Sequence, residues 1–438
     1  MLGLQLSSDD LVSREVTRDH KYLTLRRFLL TEFAMAHGSG RTYLAIPGPS
    51  VVPDRVLNAM HRASPNIYEG EILDITFGVV ADLKRVAMTS QYVAIYIANG
   101  HGAWEAAISN MFSRGDRALV AATGRFGHGW AEAVERMGVE VEMIDFGKSA
   151  PADPNRIAEA LAADKAKQIR AVLVTHVDTA SSARSDIAAI RAAIDATGHP
   201  ALLAVDAIAT IGCDEMRMDE WGIDVLVGAC QKGLMLPPGL GFVWFSDRAL
   251  EVSQHAGLAT PYWDWRPRGQ AQEFYQLFGG TAPTAHLFGL RESLTMILEE
   301  EGLPQVWGRH ETLAHAVWAA FDAWGRGSDG IGLNISAPND RGRSVTAARI
   351  GSGGAGALRK WLEVEAGVTL GIGLGMAMPT DPAYADFLRV AHMGHVNAHM
   401  LLGALATMEA GMQALEIPHG FGAMEAAAAA VAEQTRRR

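Results

Sequence analysis

The residue of this chain best placed to do chemistry is Lys232. Lysine is scarce, supplying seven of the 38 basic residues, at positions 21, 84, 148, 165, 167, 232 and 360. Six of these lie among polar or charged neighbours and read as solvated surface. Lys232 lies instead in GACQKGLMLPPGLGFVWF, just past the apolar run Ile223–Gly228. Desolvation lowers an amine's pKa, and such an amine attacks carbonyls and moves protons near neutrality. Taken alone, Lys232 reads more simply as a lysine snorkelling from a strand end. Asp206 shifts that balance, because it closes the buried run ALLAVD. A carboxylate at one strand end and a lysine after the next form the pair that pyridoxal 5'-phosphate (PLP) requires. The lysine carries the Schiff base, and the aspartate keeps the pyridine nitrogen protonated so that the ring draws electrons. Asp206 alone also fits a helix N-cap. The third element is Asn99-Gly100-His101-Gly102, between an apolar run ending at Ala98 and a helix beginning near Ala103. Glycines let backbone approach a phosphate, and a helix N-terminus offers free N–H groups and a positive dipole end. One such turn is a weak signal; three elements in this order are a stronger one.

These residues need a frame that sets strand ends side by side. Short apolar runs recur at Tyr92–Ala98, Arg117–Ala122, Val139–Asp145, Ala171–His176, Ala201–Asp206, Ile223–Gly228 and Gly241–Phe245. They are continuously apolar, as strands buried on both faces are. Helical stretches at Ala103–Met111, Gly129–Met137, Pro154–Ala162 and Asp186–Asp195 alternate with them. The alternation predicts an α/β fold with a mostly parallel, mixed sheet and ligands outside the carboxyl ends of the strands. After Gly280 the texture becomes α+β: helices over Ala285–Glu300, Val306–Trp324, Ala398–Leu415 and Met424–Glu433, and strands at Gly332–Ile335, Ser344–Ile350 and Leu388–His392. The expected organisation is a mobile arm over 1–42, a large cofactor-binding domain over 43–300 and a smaller C-terminal domain over 301–438.

Composition narrows the function. The chain has 438 residues, 49% hydrophobic and 20% charged, with a formal net charge of −11. A surface this acidic repels nucleic-acid phosphates and anionic membranes. Two cysteines, Cys213 and Cys230, are too few for a disulfide framework or a cysteine metal cage. No apolar run reaches the roughly 18–20 residues of a membrane helix, and no long apolar core marks a secretory leader. A cytoplasmic enzyme acting on small molecules, without metal, nucleic acid or membrane, is expected.

At this point the chain resembles the class V, fold-type I PLP aminotransferases, and within them the serine/alanine–glyoxylate branch. The stretches that carry the resemblance are IPGPSVVP, ANGHGAWEA, SRGDRALV, GRFGHGW, VDAIAT, RMDEWGIDVLVGACQKGLMLPPGLGFV, LFGLRESL and FLRVAHMG. It runs from Tyr43 to about Leu415. The resemblance implies that Lys232 is the Schiff-base lysine and Asp206 the partner of the pyridine nitrogen. Asn99, Gly100 and His101 fall on the phosphate loop, and Gln231 on a further phosphate contact. Phe126 falls on the aromatic stacked on the ring, Ile208 on the apolar support of its other face, and Thr179 on a hydroxyl beside ring and substrate. Thr281 falls where a second subunit lends a hydroxyl to the phosphate, which implies a homodimer with shared sites. Arg389 matches the grip on the substrate α-carboxylate, and Gly48, in IPGPS, borders the substrate. Each has a plainer reading beside it: core packing for Phe126, a salt-bridged strand arginine for Arg389.

Three positions depart from the family. Phe278 stands where a tyrosine is frequent, RVAH at 389–392 where R-I-G-H is common, and SPNIYEGE at 64–71 matches only in part. They leave the amino donor open among serine, alanine, aspartate and other amines. The implied activity is ping-pong transfer of an amino group to glyoxylate or a similar 2-oxo acid. Rival readings are a pyridoxamine–pyruvate-type aminotransferase, a cysteine desulfurase-like lyase, and a protein that keeps PLP as a mere ligand. The GIGLG at 371–375 imitates a dinucleotide fingerprint but lacks a clear preceding strand and following helix.

Overall fold

A computed structural model describes residues 38–436. The arm expected over 1–42 lies mostly outside the described residues. Twelve strands form two sheets among the described residues. The larger holds β2 (Tyr92–Ala98), β3 (Arg117–Ala122), β4 (Glu140–Asp145), β5 (Ile169–Thr175), β6 (Leu202–Asp206), β7 (Val225–Ala229) and β8 (Gly239–Phe245). Their order is β2-β8-β7-β6-β5-β3-β4. Only β8 runs against the rest, pairing antiparallel with both β2 and β7. The predicted strands thus exist with ends displaced by a residue or two, in the mixed, mostly parallel sheet expected.

Helices cover both faces, and the pleat sorts the side chains between them. Val93, Ile95, Val172, Val174, Leu203 and Val205 enter one core, beneath the helices Glu71–Ala87 and Ile187–Ala196. Ala94, Tyr96, Ala171, Leu173, Leu202 and Ala204 enter the other, beneath Gly100–Met111 and Arg125–Arg136. Successive strand residues face opposite ways, so Asp206 shares the face of Leu202 and Ala204. That is the face covered by Gly100–Met111, which decides the aspartate's neighbour below.

The second sheet has the order β1-β11-β12-β10-β9, from β1 (Tyr43–Ala45), β9 (Ile331–Leu333), β10 (Val345–Ile350), β11 (Val368–Ile372) and β12 (Phe387–Ala391). Its apolar face packs on the helices Leu303–Trp324 and Ala398–Ala414 in a core of its own. Two expectations need correction here. Tyr43–Ala45, expected to open the large domain, pairs in parallel with β11 of the C-terminal sheet. GIGLG does follow a strand, since β11 runs into it, but a turn and not a helix comes after. The glycines hid β11, and they are there because other chain segments come close. A Cβ at Gly371 would sit 2.7 Å from Pro47, and one at Gly373 only 2.3 Å from Phe387.

Candidate active site

The carboxyl ends of β2, β3, β5, β6 and β7 border a cleft whose space, including its part open to solvent, is about 510 Å³. Lys232 lies three residues past β7 and is 9% exposed. Its ammonium donates to the Pro47 carbonyl. Ser50, from the same IPGPS segment, fixes the main chain: its N–H donates to Gln231 O at 2.9 Å and its hydroxyl to Lys232 O at 2.7 Å. Gly48 has φ +95°, and a Cβ there would lie 2.5 Å from Lys232 Nζ. Glycine at 48 therefore satisfies the backbone and leaves the amine its space. Burial lowers the Lys232 pKa from 10.5 to about 8, with the Arg389 charge adding and Asp206 opposing.

Asp206 ends β6, 4% exposed, and accepts from Ile208 N–H at 2.8 Å and from Trp104 Nε1–H at 3.1 Å. Its pKa is pushed up to about 7, chiefly by desolvation. No arginine or lysine pairs with it at salt-bridge distance among the described residues, so a carboxylate is buried with its charge only partly compensated. Such a group favours either a proton or an incoming cation.

The helix Gly100–Met111 opens at the Gly-rich loop. Asn99 is its N-cap, accepting from His101 N at 3.0 Å and Gly102 N at 3.4 Å. Gly100 packs so closely on Ile208 that a Cβ would meet it at 2.5 Å. Burial and the Arg125 charge hold the His101 imidazole below its ordinary pKa. Trp104, one turn into the helix, lies 4.7 Å from the His101 ring and 5.9 Å from Trp130, between centroids.

Phe126 belongs to the helix Arg125–Arg136, which lacks a cap from its own N-terminal residue, Gly124. Asp178, just past β5, takes over that task, accepting from Phe126 N at 2.7 Å and Gly127 N at 3.1 Å. A Cβ at Gly124 would collide with its carboxylate at 2.6 Å. Beside it, Thr179 passes its carbonyl to Arg389 Nη1 at 2.9 Å, while Arg389 Nε donates to Ile372 O at 2.7 Å. Those bonds use two of five guanidinium donors. Arg389 sits on β12, 6% exposed, and burial brings its pKa down to about 10.

Eight residues selected from sequence line the cleft together: Gly100, His101, Phe126, Thr179, Asp206, Ile208, Gln231 and Lys232. Asn99 is spent as a cap, Gly48 stands behind the lysine, and Arg389 reaches Thr179 from the other sheet. Thr281 is exposed and does not line the cleft of its own chain. Phe278 is a core residue, packed 5.6 Å from Phe274 between ring centroids. Sequence reasoning missed Trp104, Asp178, Val177 and Ala209. Trp104 was legible as an aromatic in the first turn after the glycine loop; Asp178 offered only its place after β5. Both cysteines are buried and free, their thiols pushed up to about 12 (Cys213) and about 11 (Cys230) by desolvation. Neither suits a thiolate nucleophile.

A doubly covered, mostly parallel sheet with a desolvated amine and a buried carboxylate at its strand ends defines an α/β enzyme of carbonyl–amine chemistry. Residues 42–389 match the Aminotransferase class-V family, and the chain belongs to it. It shares 37% identity over 377 residues with the serine–glyoxylate aminotransferase of Methylorubrum extorquens, covering 84% of this chain and 90% of that one. It shares 37% over 389 residues with the L-aspartate–glyoxylate aminotransferase of Paracoccus denitrificans, covering 87% and 94%. The crystal structure of pyridoxamine–pyruvate aminotransferase from Mesorhizobium loti superposes with a TM-score of 0.81 at 25% identity, covering 90% and 98%. The protein is an aminotransferase of fold type I. Among the described residues, no helix is long and apolar enough to cross a membrane.

Proposed function

We propose that this enzyme is PLP-dependent and moves the amino group of a small amino acid to glyoxylate or a similar 2-oxo acid. One observation carries the reading. A lysine with its pKa lowered to about 8 shares a cleft with Asp206, a buried carboxylate without a cationic partner. The residues present fit the cofactor. Asp206 suits a protonated pyridine nitrogen, and Gln231 lines the cleft with a side-chain amide whose N–H can donate to a phosphate oxygen. The positive dipole end of the helix that opens at Gly100 borders the cleft and suits a phosphate.

When bound, PLP supplies an electron sink for the charge that develops at the donor Cα. The chain supplies the rest. Lys232 would hold the cofactor and, once displaced, take the proton from the donor Cα in the first half-reaction and deliver one to the acceptor Cα in the second; an amine with a pKa near 8 does both at neutral pH. Asp206 holds the proton on the pyridine nitrogen. Phe126 and Ile208 support the two ring faces, and Thr179 lies beside ring and substrate. Asn99, Gly100, His101 and Gln231 hold the phosphate, with Thr281 lent by a second copy of the chain in a homodimer. Arg389 grips the α-carboxylate of donor and acceptor in turn, and Gly48 borders that seat. A large unit through about residue 300, a smaller C-terminal unit and a cytoplasmic location complete the reading.

The relatives' activities support glyoxylate as acceptor, since both curated proteins carry it in their names. The test is a panel of donors and acceptors followed through cofactor absorbance. Amino transfer from at least one small amino acid to glyoxylate is expected. A protein that binds PLP but exchanges no amine with any 2-oxo acid refutes the assignment.

A further inference from the structure

Arg268 is a buried cation without a counter-ion. It is 2% exposed, and burial lowers its pKa. The nearest carboxylate in sequence, Asp264, is held by Arg266 at 2.7 Å, and none lies within ion-pair distance of Arg268 among the described residues. Main-chain carbonyls and aromatic faces surround it instead. Nη1 donates to Ile95 O and Leu277 O, both at 2.9 Å, and Nη2 to Tyr262 O at 2.8 Å. The guanidinium carbon lies 4.5 Å from the Tyr96 ring centroid and 4.9 Å from that of Tyr262. Burying a guanidinium without a carboxylate is costly, so it calls for a reason beyond packing. This one ties β2, the Tyr262 segment and the turn Phe274–Leu277 together at a single point.

That turn leads into Phe278-Gly279-Gly280-Thr281. Phe278 and Ala282 are buried in the core on either side, while Gly279, Gly280 and Thr281 are exposed. None of the three exposed residues makes a hydrogen bond among the described residues. Apolar anchors are non-directional, and two glycines in succession leave the backbone free to turn. The directional constraint comes from Arg268. It fixes Leu277 O, and a Cβ at Gly279, where φ is +62°, would lie 2.7 Å from its Nη2.

We infer that Arg268 is a positioning residue for the cofactor site of the neighbouring subunit. It holds the 279–281 segment in the one conformation that aims the Thr281 hydroxyl at the phosphate bound by a second copy of the chain. The inference rests on the shared-site reading above and adds to it the residue that gives the hydroxyl its direction.

Cofactor-free R268Q, T281A and R268Q/T281A are titrated with PLP. Each single variant should bind PLP roughly twofold to tenfold more weakly, the range for one hydrogen bond. The double variant should bind no more weakly than the weaker single variant, because one residue acts through the other. A merely structural loss multiplies instead; a multiplied loss, or unchanged binding by R268Q, overturns the proposal. R268K should keep part of the affinity. If R268Q does not fold, G279A leaves the guanidinium in place and displaces the segment. It should show the same weakening, and unchanged binding there overturns the proposal equally. Mixing R268Q with K232A, at a PLP concentration between the wild-type and R268Q dissociation constants, gives a second readout. Hybrid dimers join the lysine of one subunit to the intact segment of the other, so activity should rise above that of R268Q alone. If K232A recovers with T281A but not with R268Q, the Arg268 role falls and the shared site stands. If it recovers with neither after proven subunit exchange, both fall.

Discussion

Asp206→Asn should change activity and stability in opposite directions. The side chain is 4% exposed, and its pKa rises from 3.8 to about 7, mainly because burial disfavours its charge. The folded-state pKa lies above the unfolded one, so stability is fullest below pH 3.8 and is lost as pH rises through 7. The linkage integral gives a cost of about 4 kcal/mol at pH 8 and below about 2 kcal/mol at pH 5, at about 1.36 kcal/mol per unit. Asparagine carries no charge and keeps an oxygen for Ile208 N–H or Trp104 Nε1–H. Cofactor-free Asp206→Asn should therefore resist denaturant better than wild type at pH 8, by an amount on the order of 2–4 kcal/mol. That advantage should shrink toward pH 5. Turnover should fall by about two orders of magnitude or more, because the ring nitrogen loses the ion pair that keeps it protonated. PLP should stabilise wild type more than the variant. A cofactor-free variant less stable than wild type at pH 8 would show that Asp206 is compensated in the fold. Normal turnover would remove it from the mechanism.

Lys232, lowered to about 8, has roughly one amine in ten unprotonated at pH 7. Imine formation with PLP should have its midpoint near pH 8, borohydride should fix the added mass on Lys232, and Lys232→Ala should lose transamination; a midpoint near 10.5 contradicts the burial argument. Arg389→Ala should cut kcat/KM roughly tenfold to a hundredfold in both half-reactions, since donor and acceptor share the α-carboxylate grip. Unchanged kinetics in both halves would dismiss that role. Mixing Lys232→Ala with Thr281→Ala protein should restore activity in hybrid dimers, where one site has both groups; no recovery after proven subunit exchange counts against shared sites.

The sequence was most legible where burial is symmetrical. Strands β2, β3, β5, β6, β7 and β8 have helices on both faces, so their side chains are almost all apolar, with the charged Arg117, Arg170 and Asp206 at or near their ends, and their limits lie within two residues of those expected. Legibility failed where a segment's composition answers to a distant neighbour. β11 is broken by glycines that admit Pro47 and Phe387, and the helix Gly100–Met111 starts three residues earlier than read because Asn99 caps it. The site follows the same rule. Lys232 and Asp206 announce themselves by sitting as ionisable groups at apolar strand ends. Asp178 caps a helix 51 to 52 residues away in sequence, a relation that no local pattern encodes.

The five-stranded sheet explains why amine and arginine meet. β1 runs into Pro47, whose carbonyl holds Lys232; β11 ends at Ile372, whose carbonyl holds Arg389; β12 carries Arg389 itself. These strands are consecutive neighbours, β1-β11-β12, so the holder of the amine and Arg389 lie on adjoining strands. One electrostatic consequence follows. The Arg389 charge is the largest neighbouring-charge contribution to the low Lys232 pKa. With Arg389 in its proposed role, a seated α-carboxylate offsets that charge, and the lysine becomes more basic as the donor arrives. The free enzyme then keeps a fraction of its amine unprotonated for bond formation with an aldehyde. The occupied enzyme has a stronger base for the proton at Cα. On the proposed roles, pairing β1 with β11 would serve both tasks of a single lysine.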